Sequence, residues 1–207
     1  MAQRRGLHRI LEIPIFYNFI QLVFSHRKTF LIWNQLIQDG RYGVVLDVGC
    51  GPGNRTDDFR DSKAYVGVDI SEIYINEARN KYGEVGEFHV LSATEIDKLT
   101  CSNFDLVILN GVFHHLSDDE VIEFLKKVSD RLGKNGTVVT VDPTFIKGRF
   151  LANFLVSQDR GLHVRTPKDL KAICEMYLKI VECNVVKQNF PPYQRVMLKL
   201  GTKQPFA

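Results

Sequence analysis

The chain of 207 residues has only four cysteines, Cys50, Cys101, Cys174 and Cys183, and no two of them stand in C-x-x-C spacing. That spacing builds zinc and redox sites, and no other His/Cys cluster has ligand spacing, so no metal is expected. Scattered thiols fit a reducing compartment, and the expected location is cytoplasmic. A run of some 18 apolar residues, the length a bilayer span needs, is also missing. The most apolar stretch, residues 10–24, is broken by Glu12, Pro14, Asn18 and Gln21, and no small-x-small cleavage site follows it. It reads as a helical segment rather than a span or a signal. Charge of one sign is scarce as well: 27 basic residues face 24 acidic ones, a net +3. Without a basic stripe interleaved with aromatics, no nucleic acid partner is expected. Internal repeats, low-complexity tracts and the G-x-x-x-x-G-K-[ST] loop of nucleotide triphosphatases are absent too.

What is there is an ordinary globular composition, 44% hydrophobic and 25% charged, in a length suited to one domain. Residues 7–38 carry Phe16, Phe19, Ile20 and Val23 at the helical period, and Phe30, Leu31 and Leu36 more loosely, which predicts helix. Residues 1–40 are read as an N-terminal helical cap and 41–207 as the main domain. Val44-Val45-Leu46 and residues 64–70 read as strands buried on both faces. Ser71 is a plausible N-cap for a helix reaching Tyr82. Strands are predicted over 88–91 and 104–109. Ser117 and Glu120 form a capping box ahead of a helix with Val121, Phe124, Leu125, Val128 and Leu132 on one face, ended by Gly133 and Gly136. A fifth strand covers 137–141, Thr166-Pro167 opens another helix, and two late strands fall over 179–186 and 196–200. The alternation predicts an α/β fold with a mainly parallel, seven-stranded sheet. Residues 143–165 remain unassigned, and a connection that long is usually functional, here a lid over an acceptor.

The segment Asp47-Val-Gly-Cys-Gly-Pro-Gly53 directly follows the first strand. Its glycines allow a tight turn and close approach of a ligand to the backbone. Asp69 ends the second strand, where a carboxylate can accept both hydroxyls of a ribose. Together they predict a nucleoside-containing ligand. The plainer alternative is a turn and a helix-capping acid with no ligand at all. The dinucleotide spacing G-x-G-x-x-G is not met, because the glycines run Gly49-x-Gly51-x-Gly53. Pro52 removes an N–H that a pyrophosphate would use, which argues against a nicotinamide-dependent dehydrogenase. Asp47 is awkward beside phosphate but suits a ligand carrying an ammonium group.

At these residues a family resemblance emerges. Val44-Val-Leu-Asp-Val-Gly-Cys-Gly-Pro-Gly-Asn54 resembles the first motif of class I S-adenosylmethionine-dependent methyltransferases, and Val66-Gly-Val-Asp-Ile-Ser71 the second. Phe104-Asp-Leu-Val-Ile108 through His114-His115-Leu116 resembles the fourth, and Leu132-Gly-Lys-Asn-Gly-Thr137 the turn into strand five. The likeness covers residues 40–142. It implies a Rossmann-like, doubly wound sheet with S-adenosylmethionine as cofactor. Asp47, Gly49, Cys50, Gly51 and Gly53 would lie at its methionine part, Asp69 at the ribose, and Ile70 against the adenine. Ala93 would offer its N–H to adenine. Ser92 stands where the family often has Asp, so the usual carboxylate contact to the adenine amine is missing. Asn110, ending strand four, completes the cofactor set. The N-terminal cap would cover the cofactor.

Methyl transfer is an in-line displacement, served mostly by proximity and orientation. A hydroxyl acceptor also needs a base near neutral pH, a role suited to histidine. The stretch from His114 to Asp118 resembles the segment that carries the catalytic histidine of small-molecule O-methyltransferases, with His114 in the base position and His115 as a second candidate. The alternative is that both imidazoles are structural. Being adjacent, they are expected to point apart. The pattern Asn/Asp-Pro-Pro-Tyr/Phe is absent after Asn110, against methylation of DNA or of protein glutamine. Asp142 ends strand five, and Lys147, Arg149, Arg160, His163 and Arg165 follow. Asp142, Arg160 and Arg165 are the expected substrate contacts, for a small acceptor that is anionic or sugar-like. A solvated loop with an Asp159–Arg165 pair is the competing picture. Asp159-Arg-Gly-Leu-His-Val-Arg165 resembles, more weakly, a pattern in small bacterial methyltransferases of polysaccharide clusters. Transfer to nitrogen or carbon, and a cofactor-holding module without catalysis, stand as alternatives.

Overall fold

A computed structural model describes residues 27–37, 42–158 and 161–203. Seven strands form one sheet: β1 (Val44–Val48), β2 (Ala64–Asp69), β3 (Glu87–Val90), β4 (Phe104–Asn110), β5 (Leu132–Pro143), β6 (Leu178–Asn189) and β7 (Pro192–Thr202). Their order is β3-β2-β1-β4-β5-β7-β6. The first five run parallel, and β7 is antiparallel to both of its neighbours. The chain winds outward from β1 through β2 to β3, then restarts at β4 on the other side of β1. Crevices for ligands open beyond the carboxyl ends of the strands at such a reversal.

The strands alternate their side chains between two cores. On one face Leu46, Val48, Val66 and Val68 meet α3 (Asp118–Ser129) through Val121, Phe124, Leu125 and Val128, and α5 (Pro167–Cys174) through Leu170 and Cys174. On the other, Val45 and Tyr65 meet α2 (Glu72–Tyr82) through Ile75, Ala78 and Tyr82. This second core also takes in α1 (Arg27–Ile37) through Trp33, Leu36 and Ile37. Burial on both faces explains why β1, β2 and β4 read as continuous apolar runs.

Capping signals hold as read. Ser71 accepts from the Tyr74 N–H at the start of α2. Ser117 and Glu120 exchange both bonds of a capping box, and Thr166 caps α5 with Pro167 in its first turn. Other expectations need correction. Leu132 is not on the helix: α3 stops at Ser129, and residues 132–136 form an irregular start to β5 against Phe104. Within the expected 7–38 helix, residues 7–26 lie outside the described residues. In α1 the buried anchors are Trp33 and Leu36, while Phe30 and Leu31 face outward. The late strands are longer than predicted. Residues 143–165 are not loop throughout, since they hold α4 (Phe150–Ser157).

Candidate active site

The glycine turn begins where β1 ends. The N–H groups of Gly49 and Cys50 both donate to the Val68 carbonyl, at 2.8 and 3.1 Å, and so fold the turn back over β2. The Cys50 side chain points inward, against Gly67. Burial pushes its thiol well above the usual range, which leaves Cys50 to present backbone rather than sulfur. At Gly51, φ is +54° and a Cβ would meet nothing within 4 Å, so the peptide faces an open cradle.

Asp69 closes this cradle. One carboxylate oxygen accepts from Gly51 N–H at 3.0 Å and the other from Ser71 N–H at 2.8 Å. It thus clasps the glycine turn to the start of α2, a structural duty that spacing alone does not reveal. Each oxygen keeps acceptor capacity for a hydroxyl. Next to it Ile70 is 77% exposed, an uncovered apolar side chain with room for a flat partner. The Leu91 N–H donates to the Asp69 carbonyl at 3.0 Å, which brings Ser92 and Ala93 alongside. Ser92 is busy: its hydroxyl caps the short 3-10 helix Ala93–Lys98, and its N–H donates to Glu95.

Asp47 is buried and accepts from the Tyr65 hydroxyl at 2.6 Å. Its partner is a phenol, not a cation, and burial pushes its carboxyl up to about 6. A buried acid in that condition fits an incoming ammonium group. The open cradle at Gly51, the half-buried carboxylate of Asp69, the bare Ile70 and this acid together fit a nucleoside bearing an amino acid.

Across the crevice, β4 ends at exposed Asn110. Gly111 donates to the Val141 carbonyl at 2.7 Å, and Val112 packs so tightly on Gly49 that a Cβ there would lie 2.6 Å from its Cγ2. The loops after β1 and β4 therefore meet. A 3-10 turn, Phe113–His115, then carries both histidines. Contrary to the expectation that they diverge, their ring centroids lie 4.0 Å apart. His114 is 5% exposed and His115 is exposed.

His114 is held by Asp142. The Oδ1 of Asp142 accepts from the His114 backbone N–H at 3.1 Å and lies 3.1 Å from ring Nδ1. Its Oδ2 accepts from the Thr140 hydroxyl at 2.5 Å. A carboxylate only accepts, so Nδ1 carries the hydrogen, and in the neutral imidazole Nε2 is the acceptor. Asp142, expected at the substrate, is instead buried with both oxygens engaged, and it orients the imidazole. Gly111 lies beside the Cε1 of this ring and Gly161 beside its Cδ2, where a Cβ would approach to 2.0 Å. Nε2 is thus edged by two residues without side chains.

Arg165 also needs correction as a substrate contact. Its guanidinium donates to the carbonyls of Phe113, Leu116 and His163 at 2.7, 2.8 and 3.1 Å, and to Asp118 at 2.7 Å. It is nearly buried, ties the histidine turn to the end of the crossover, and pairs with Asp118. His163 N–H donates to the His114 carbonyl at 3.0 Å, completing the clamp. Arg160, the other expected contact, lies outside the described residues, as does Asp159. Among the described residues no group of three or more His, Cys, Asp or Glu could hold a metal.

A family model described as a methyltransferase domain matches residues 45–136. An uncharacterized methyltransferase of Alkaliphilus oremlandii is 28% identical over 141 residues, covering 66% of this chain and spanning 62% of its own length. One from Bacillus cereus is 24% identical over 170 residues, 80% of this chain and 78% of that one. The same sheet and helices recur in the N-methyltransferase NodS of Bradyrhizobium japonicum, solved with S-adenosylhomocysteine. That match has a TM-score of 0.68 at 14% identity, over 95% of this chain and 91% of the other.

Proposed function

We propose that this chain is a class I S-adenosylmethionine-dependent methyltransferase, as its methyltransferase-domain match and methyltransferase relatives support, and that it methylates a hydroxyl of a small acceptor with His114 as general base. The observation that carries the reading is the buried series Thr140–Asp142–His114 at the ends of β4 and β5, on the loop that meets the glycine turn through Val112. When bound, S-adenosylmethionine supplies an electrophilic methyl group on a sulfonium. Gly49, Gly51 and Gly53 give it backbone, Asp47 accepts its ammonium, Asp69 takes the ribose hydroxyls, and Ile70 with Ala93 covers the adenine. Asn110 lines the crevice between cofactor and acceptor. His114 Nε2 takes the proton from the acceptor oxygen as that oxygen attacks. Asp142 then stabilises the imidazolium through Nδ1–H, and Thr140 holds Asp142 in place. His115 lies tilted against the ring and borders the acceptor pocket. An anionic acceptor has lost Arg165 as its receptor, which favours a neutral, sugar-like hydroxyl over a carboxylate or phosphate.

The test pairs calorimetry with turnover. Wild type, Asp69→Ala and His114→Ala are titrated with S-adenosylmethionine and S-adenosylhomocysteine, and labelled methyl transfer is followed over a panel of hydroxylated and amino acceptors. Asp69→Ala is expected to lose cofactor binding. His114→Ala is expected to bind the cofactor as wild type does and to lose transfer. Equal loss of binding and turnover in His114→Ala refutes the base assignment, and transfer to amines alone refutes the hydroxyl.

A further inference from the structure

The crossover from β5 to α5 carries a feature that methyl transfer does not use. Helix α4 has the sequence Phe150-Leu-Ala-Asn-Phe-Leu-Val-Ser157, without a charged residue. Ala152 and Val156 are buried, and Asn153 bonds both backbone groups of Ile146 and also accepts from Gln194. That fixes α4 on β7 by one side. The other side is bare: Phe150, Leu151 and Phe154 are 83%, 64% and 60% exposed. Arg149 reaches from the start of α4 to the Gln188 carbonyl at 2.7 Å, which joins the helix to the turn between β6 and β7. At the tip of that turn Phe190 is 91% exposed. Leu162, 88% exposed, follows in the same crossover beside the residues that cover His114. Solvent-facing apolar residues scattered singly need no explanation, but five large ones on two joined segments do.

Charge says what meets them. From Pro143 to Gln158 and from Cys183 to Arg195 the chain holds Lys147, Arg149, Lys187 and Arg195, and no aspartate or glutamate. Elsewhere the signs nearly balance, since the whole chain is only +3. Lys187 pairs across the ladder with Gln194, so both project on the face where α4 sits. Of these, Lys147 just ahead of α4 and Lys187 are exposed, whereas Arg149 is held by the Gln188 carbonyl and Arg195 lies over Tyr193 on the other face of the sheet. Apolar side chains flanked by two lysines, with no acid in either segment, complement an anionic interface that has hydrocarbon beneath it. The patch also lies at the working edge of the sheet. Pro143 pairs with Arg195, so Pro192 stands three residues past the end of β5, roughly 10 Å beyond it, on the edge that carries Asp142.

We propose that the face built from α4 and the β6–β7 turn docks on the surface of a bilayer containing anionic lipid, with Phe150, Leu151, Phe154 and Phe190 entering the interface. This surface stands on observations independent of the hydroxyl reading. Docking there presents the crevice edge to the membrane without any spanning helix.

The test is co-sedimentation of the full chain with vesicles of phosphatidylcholine alone, and of phosphatidylcholine with about a quarter phosphatidylglycerol. Binding is expected to the anionic vesicles only and to fall steeply by about 0.5 M salt. The double variant Phe150→Ser/Phe154→Ser, and separately Phe190→Ser, are each expected to bind at least about tenfold less, with unaltered affinity for S-adenosylhomocysteine as the sign of an intact fold. Three results overturn the proposal. One is no binding by wild type. Another is binding that both patch variants retain, which places the contact elsewhere. The third is a wild-type dimer that the patch variants break into monomers, with no lipid binding.

Discussion

Asp47 offers the sharpest quantitative test. In the folded chain its carboxyl is pushed from 3.8 up to about 6, with burial the largest cause. An acid whose folded pKa is raised stabilises the fold only while protonated. That contribution is complete below about pH 4 and is lost as pH rises through about 6. A rise of that size is worth about 3 kcal/mol at neutral pH. Asp47→Asn keeps an oxygen for the Tyr65 hydroxyl and removes the buried charge. Urea unfolding of the cofactor-free chain is therefore expected to show the variant more stable at pH 7.5, by up to about 3 kcal/mol, with the gap closing by about pH 4. Taking the difference between the two proteins cancels every other titrating group. Cofactor affinity should move the opposite way. An ammonium group needs the ionised acid, and at pH 5 only about a tenth of Asp47 is ionised, so wild-type affinity is expected to drop about tenfold from pH 7.5. The variant is expected to bind weakly with no such slope. A variant that is less stable at pH 7.5, or one that binds S-adenosylmethionine as tightly as wild type with the same pH slope, refutes the reasoning.

Three further outcomes follow from the clamp around His114 and the helix beside it. Arg165→Lys retains a charge but not the planar fork that serves three carbonyls and Asp118; it is expected to cost on the order of 3 kcal/mol in urea unfolding, and a loss under about 0.5 kcal/mol would show the clamp to be idle. Gly161→Ala places a methyl 2.0 Å from the His114 ring; turnover is expected to fall by about 10²-fold with unchanged affinity for S-adenosylhomocysteine, and wild-type turnover would refute the close approach. Ser117→Ala removes both hydroxyl bonds of the α3 capping box; thermal unfolding should record a loss of about 1 kcal/mol, without effect on cofactor affinity.

The parts of this molecule that can be read from sequence are those where one residue's local chemistry decides the outcome. Ser71, Ser117 and Thr166 satisfy the open N–H groups of the helix they precede, so those helix starts fall where expected. Gly51 sits at positive φ beside open space, a condition that its spacing from Asp69 already announces. Helix α4 is hidden in the sequence because its residues are apolar on the packed side and on the bare side alike, which erases the 3.6-residue contrast. Asp142 and Arg165 read as substrate contacts for a different reason. Each lies beside the pocket in sequence, but its role is set by groups far away in the chain. Asp142 meets His114 across 28 residues through the pairing of β5 with β4. Arg165 serves carbonyls at Phe113 and Leu116, 52 and 49 residues distant, that have no sequence signature. A backbone carbonyl in need of a donor looks the same in every residue. An arginine that answers it is therefore indistinguishable, before folding, from one kept for a ligand. That is why the geometry of the glycine turn and the strand-end acids is legible, while across the crevice two expected ligand contacts, Asp142 and Arg165, are scaffold for one histidine.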